Sequence, residues 1–317
     1  MRGRHKKTGK VLLALGAVLV IFGVVWVTVI FPEINKIPGD LVFSTDQQGT
    51  VTVFDSDSMQ PVTYDVIGTR AYEAVRSTSS TVYLTETCTF VDADTGEPLT
   101  FLDSSYLLAI DRAERVNVPG CGDMDREGYF SFPRGVEPGR DYPLWITGNP
   151  APVDATYIGE EQFRGLPVYV YELETPEEGL TVPAGLDTPE MQVHQYIKQF
   201  VEPVSGLTVY MESTTSRTAR IPVLDDLFPN TVDPVLTEVT VYEDSLVFTD
   251  ETVDRLVHDA SFYHWALPWG STHLPRLVFG LGIVMLIAGP VLLTRRPREA
   301  AALEGIPSEA TGLYSKP

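Results

Sequence analysis

Histidine is scarce in this chain. There are five in 317 residues, and no two of them stand at the i, i+4 spacing that places a pair of metal ligands on one helix face. His258 and His264 are six apart, His194 is isolated, and His5 and His273 lie at the two ends of the central region. Gly-rich phosphate loops, Gly-x-Ser-x-Gly and His-Glu-x-x-His are all missing, so the motifs of nucleotide, serine-hydrolase and zinc-protease chemistry are absent. An enzyme needs a nucleophile, a base and a group that orients it, and no such set can be named. The expectation is a non-enzyme with no metal and no cofactor. Positive charge is also short where it would matter. Residues 32–268 hold 13 Lys and Arg against 40 Asp and Glu, a net of −27, which excludes the basic surface that nucleic-acid phosphates require.

Charge is missing altogether from two stretches, Val11 to Phe31 and Leu277 to Leu293, of 21 and 17 residues. Both read as membrane-spanning helices, the second near the lower length limit. Arg2, Arg4, Lys6, Lys7 and Lys10 precede the first and Arg295, Arg296 and Arg298 follow the second. The positive-inside rule then puts both termini in the cytoplasm and the acidic middle outside, at a plasma membrane. A cleaved signal peptide is the competing reading of the first stretch, but Phe31-Pro32-Glu33-Ile34-Asn35 offers no small-x-small cleavage site. The expected organisation is a basic tail 1–10, a helix 11–31, an extracytoplasmic domain 32–268, a helix 274–293 and a tail 294–317. Gly16, Gly23, Gly280, Gly282 and Gly289 would let the two helices approach closely.

Cysteine is limited to Cys88 and Cys121. Both fall in the exported region, and an oxidising compartment favours a disulfide between them over two free thiols.

The exported region is rich in Thr, Val, Tyr and Leu between closely spaced turn signals, a pattern of antiparallel meanders. Its expected fold class is mainly β, with duplicated curved-sheet units. Phe90-Val91-Asp92-Ala93-Asp94-Thr95-Gly96 is echoed by Phe200-Val201-Glu202-Pro203-Val204-Ser205-Gly206, and Pro61-Val62 with Ile67-Gly68 by Pro152-Val153 with Ile158-Gly159. These anchors delimit units at about 61–116 and 152–215. The first carries strands at 62–67, 72–76, 81–90 and 99–109. Residues 119–139, including Tyr129-Phe130-Ser131-Phe132-Pro133, read as a connector. The second unit carries strands at 168–171, 195–201 and 207–215, with a Pro/Gly-rich flap over 174–192. Acids at Asp250 and Glu251 start a helix over 250–264, whose apolar stripe is Val253, Leu256, Val257 and Ala260. The alternating acids Asp55 and Asp57 lack the Gly and Glu of a calcium loop and read as a solvated turn.

Val168-Tyr169-Val170-Tyr171 is apolar or aromatic on both faces, which fits a strand covered on one side and lining a ligand on the other. With Tyr157 and Tyr196 it forms the candidate ligand-binding set, beside the flap.

Val201 to Gly206, Phe248-Thr249-Asp250-Glu251-Thr252-Val253, and the Leu/Gly/Ile anchor ending in Arg295-Arg296 resemble the actinobacterial two-anchor envelope proteins named for porin PorA. The resemblance implies a role in the cell envelope, in glycolipid handling or envelope growth, and brings no catalytic residues. The Phe200 to Met211 hairpin, after the Gly165-Leu166-Pro167 turn, also resembles the half-barrels of periplasmic lipoprotein carriers, which hold acyl chains in a concave sheet; fold alone does not carry function. The expected function is lipid or glycolipid binding at the outer membrane face, with envelope membrane proteins as further partners. A scaffold for envelope enzymes and an oligomeric porin are the alternatives.

Overall fold

The computed structural model describes residues 2–55, 57–183, 190–223 and 235–294. The chain divides into two units, Met1–Phe31 with Ser271–Pro317, and Pro32–Gly270.

In the first unit, α1 (Arg2–Val25) runs into a π-helical turn at Trp26–Ile30, and α4 (Leu274–Thr294) is its partner. Both are long and apolar enough to cross a membrane. Their contact is built on glycine. A methyl added at Gly16 would stand 2.8 Å from the Gly282 carbonyl oxygen, one at Gly9 2.9 Å from that of Gly289, and Gly23 faces the Phe279 ring. The sevenfold spacing of Gly9, Gly16 and Gly23 keeps the small residues on one stripe, where backbones approach closely. Gly280 has open space instead and takes no part. The tail from residue 295 onward lies outside the described residues.

The second unit is one antiparallel sheet. Its strands are β1 (Val42–Asp55), β2 (Gln60–Ser77), β3 (Thr81–Asp92), β4 (Ser104–Asp111), β5 (Tyr142–Leu144), β6 (Val153–Phe163), β7 (Leu166–Glu174), β8 (Leu180–Val182), β9 (Met191–Glu202), β10 (Leu207–Val223) and β11 (Val235–Phe248). They lie in the order β4-β3-β2-β1-β11-β10-β9-β7-β6-β5, with β8 also on β9. A short helical turn α2 (Phe31–Ile34) precedes the sheet. The sheet is mainly β and antiparallel, as the composition implies.

Three local readings change. The expected break at Gly68 does not occur, and β2 is one long strand. Gly68 is needed for close packing there, since a side chain would run into the Phe90 ring opposite it on β3 at 2.6 Å. The two anchor pairs do not fall on equivalent strands: Ile67 and Gly68 pair directly with Val91 and Phe90, whereas β7 stands between the Ile158-Gly159 strand and β9. The region expected as a flap is partly sheet. Thr175 turns the chain away from β7, and β8 resumes pairing on β9 opposite Met191 to Val193; residues 184–189 lie outside the described set.

The expected disulfide is also corrected, because Cys88 and Cys121 are free. Cys88 sits on β3 opposite Ser104 of β4, while the Cys121 loop is bound to the far edge of β4, where Asp123 donates to the Leu107 carbonyl. A whole strand separates them. Strands stand about 4.8 Å apart, and a bridge needs Cα atoms within about 7 Å.

Helix α3 (Asp250–Pro268) covers part of the sheet. Thr249 caps it by accepting the Thr252 amide, with Asp250 and Glu251 in the first turn, where the positive end of the helix dipole favours acids. The predicted stripe is the buried face: Val253, Leu256 and Ala260 pack with Leu166, Val168, Val209 and Phe248. A second core lies under the 129–144 segment, where Phe132 and Tyr142 meet Tyr171, Leu173, Ile197 and Val201.

Candidate functional site

Between α3 and the 129–147 segment the sheet is not covered by core. A cleft of about 720 Å³ runs across β2, β1, β11, β10 and β9, within the size range of small-molecule sites. Strand period decides what faces it. Thr45 and Gln47 on β1, Arg70 on β2, Gln195 and Gln199 on β9, Thr215 and Arg217 on β10 and Asp244 on β11 are alternate residues in register, so all point to one face. They make a polar floor. Apolar walls rise around it from Phe43, Tyr72, Met211 and Phe248, from Phe130 of the segment expected to be a mere connector, and from Trp145 and Ile146 beyond it.

The floor is held by specific bonds. Glu86 is fully buried; it accepts from the Thr147 hydroxyl at 2.5 Å and from Tyr72 at 3.2 Å, with Arg70 at 3.6 Å. Asp244 accepts from Tyr242 at 2.8 Å, and Arg217 lies over the Tyr242 ring. Burial raises the Asp244 carboxyl above its ordinary value of 3.8, only partly offset by the bonds from Tyr242 and Thr215 and by the Arg217 charge. Among the described residues, eight buried side-chain polar atoms have no hydrogen-bond partner, and seven belong to residues lining this cleft, including Gln47, Trp145, Gln199 and Asp244. Buried polar groups are usually paired. The floor therefore sets incompletely paired polar groups beside an apolar wall.

At one end of the cleft the hairpin motif Val201 to Gly206 organises the structure. Glu202, fully buried, accepts from the Val204 and Ser205 amides at 3.0 and 2.7 Å, from the Ser205 hydroxyl at 2.6 Å, and meets His264 Nδ1 of α3 at 2.6 Å. Gly206, at φ 71°, leaves no space for a side chain against Phe132 and Pro133. The turn thus pins α3 and the 132–134 segment to the end of the β9–β10 hairpin.

None of the six residues singled out from the sequence lines the cleft. Tyr171 is fully buried, its ring 4.7 Å from Phe132 and its hydroxyl donating to the Glu137 carbonyl. Tyr157 and Tyr169 pack edge to face beside it, centroids 5.6 Å apart. Val168 and Val170 are buried, Val168 in the cluster under α3. The strand is apolar on both faces because both faces are covered. Tyr196 borders a separate polar hollow with Glu174, His194 and Thr214, and burial with the neighbouring Glu172 pushes its phenol up to about 12. The signal that marks the real floor is the run of Gln, Thr, Arg and Asp at alternate positions inside long strands.

Comparison with protein families matches the model described as Porin PorA to residues 8–291, which span both apolar helices and the whole sheet. The chain belongs to this family. Of the stretches that carry the resemblance, Val201 to Gly206 is the turn that holds α3 and Phe248 to Val253 the strand end and cap that start it, so both carry the architecture rather than the cleft. No curated protein matches the chain.

Proposed function

We propose that the Pro32–Gly270 domain is a membrane-tethered carrier that binds one lipid or glycolipid molecule in the cleft and passes it to or from envelope proteins. The observation behind this reading is the cleft itself, about 720 Å³ with apolar walls and a polar floor, which suits a molecule having both an acyl and a polar part. A filled sheet face would have favoured a scaffold. The two apolar helices anchor the domain, and the basic residues outside them orient it with both termini in the cytoplasm. The reading is of a binding protein without catalytic chemistry.

The test is to purify the full chain in nonionic detergent and extract bound lipid for mass spectrometry. Wild-type protein should retain a stoichiometric acyl lipid, and Ser213→Trp, which projects into the cleft from β10, should lose it while remaining folded. Equal lipid content in both would sink the proposal.

The family description supports a second reading, a pore. The sheet of one chain is open, with β4 and β5 at its edges, so several copies would have to enclose the channel. Ion conductance across proteoliposomes, proportional to protein and absent from empty vesicles, would favour it.

A further inference from the structure

Arg115 and Arg134 both line the cleft at the end near α3, with Tyr263 beside them. Neither has a carboxylate partner among the described ion pairs, although the domain around them carries 40 acids. Lys36, Arg70, Arg126, Arg140 and Arg164 are paired with carboxylates, whereas Arg112 and Arg255 bond backbone carbonyls. Asp259 lines the same cleft but pairs with neither arginine. Arg115 is instead held by backbone: its Nη1 donates to the carbonyls of Phe132 at 2.8 Å and Ser205 at 2.9 Å. Its own main chain is in the left-handed region, φ 61°, in the turn after β4. Arg134 donates to Asn35 Oδ1, and its Nε has no partner. A guanidinium carries five donors, so each retains unused ones. Burial, and secondarily the charge of Arg134, push Arg115 down to about 10. Two neighbouring, half-buried cations without a carboxylate counter-charge are partly stripped of water, which is costly, and a ligand that brings negative charge relieves that cost.

The geometry points to an anion subsite: Arg115 and Arg134 receive a phosphate or carboxylate head group of an amphiphile whose chain lies along the apolar wall toward Phe43 and Phe248. The assignment rests on the carrier reading and adds the head-group charge to it. Bidentate guanidinium contacts with such oxyanions are the strong, directional kind, and a hydrogen bond to a charged group contributes about 1.5–3 kcal/mol, or roughly 10- to 100-fold in affinity.

The full chain in nonionic detergent is titrated calorimetrically with hexadecyl phosphate, hexadecanol and inorganic phosphate. Arg134→Gln is the test variant, because Arg115 also fixes two carbonyls and its loss could unfold the turn; Arg134→Lys keeps the charge. Wild type should bind hexadecyl phosphate at least about 10-fold more tightly than hexadecanol. Arg134→Gln should abolish that margin without changing hexadecanol binding, and Arg134→Lys should restore part of it. Equal binding of hexadecanol and hexadecyl phosphate, insensitive to Arg134→Gln, would overturn the anion subsite and leave the carrier reading standing. Inorganic phosphate binding as tightly as hexadecyl phosphate would show a free-anion site and overturn the head-group assignment. Failure of both long-chain probes would overturn the carrier reading with it.

Discussion

Glu202→Gln is expected to destabilise the Pro32–Gly270 domain by about 3–5 kcal/mol. The carboxylate is fully buried and meets two amides, one hydroxyl and one imidazole, all within 3.0 Å. Glutamine has the same shape but one oxygen in place of two, and each carboxylate oxygen holds two of these groups, so its NH2 must face two of them. Two charge-assisted bonds are then lost at about 1.5–3 kcal/mol each, in line with the cost of removing one member of a buried polar pair. For a domain of this size, 1 kcal/mol corresponds to about 2–4 °C in Tm, which predicts a fall of roughly 6–20 °C. Thermal unfolding of the full chain in detergent, followed by circular dichroism at the β-sheet signal, measures it. Ser205→Ala, which removes one of these charge-assisted donors, should cost about 1.5–3 kcal/mol. A Glu202→Gln shift below 2 °C would refute the view that this turn holds α3 to the sheet.

Asp244→Asn should stabilise the protein at neutral pH, because burial raises this carboxyl above its usual 3.8. The native state therefore favours the protonated acid: that contribution is present below about pH 3.8 and is lost as pH rises through the folded value. Denaturant midpoints should show the variant's advantage at pH 7 shrinking toward pH 4. Leu256→Ala, at a fully buried site on α3, should cost about 2–5 kcal/mol in the same assay. Gly16→Leu should force α1 off α4, since even a methyl would meet the Gly282 carbonyl; the Tm of the full chain in detergent should fall, whereas Gly280→Leu, where the space is open, should leave it unchanged. Both native cysteines should label with maleimide in denaturant without reductant, and Cys121→Ser alone should leave Tm unchanged within about 1 °C.

What could be read from the chain was what depends on short-range pattern. The two uncharged apolar runs, the 3.6-residue stripe of α3 and the acidic turn at Glu202 are local signals, and each structure follows from its own residues. The cleft is not local. Its floor comes from five strands spread between Thr45 and Phe248, and each contributes one or two polar residues that, strand by strand, look like a solvated face. Val168 to Tyr171 misleads for the opposite reason: aromatic and apolar side chains on both faces mark a strand with neighbours on both sides, here the Phe132 segment and the α3 cluster, rather than one facing a ligand. The cysteines were placed by compartment, which says nothing about the strand between them. Gly68 looked like a break, yet its missing side chain is what lets Phe90 lie across an uninterrupted strand.

The carrier reading is tested most directly by asking where a bound chain lies. The full protein would be loaded with a photoactivatable fatty acid, irradiated, digested and mapped by mass spectrometry. The account predicts cross-links concentrated on β9, β10, β11 and the 129–147 segment, and their loss in Ser213→Trp. Labelling confined to α1 and α4, unchanged by that substitution, would contradict it.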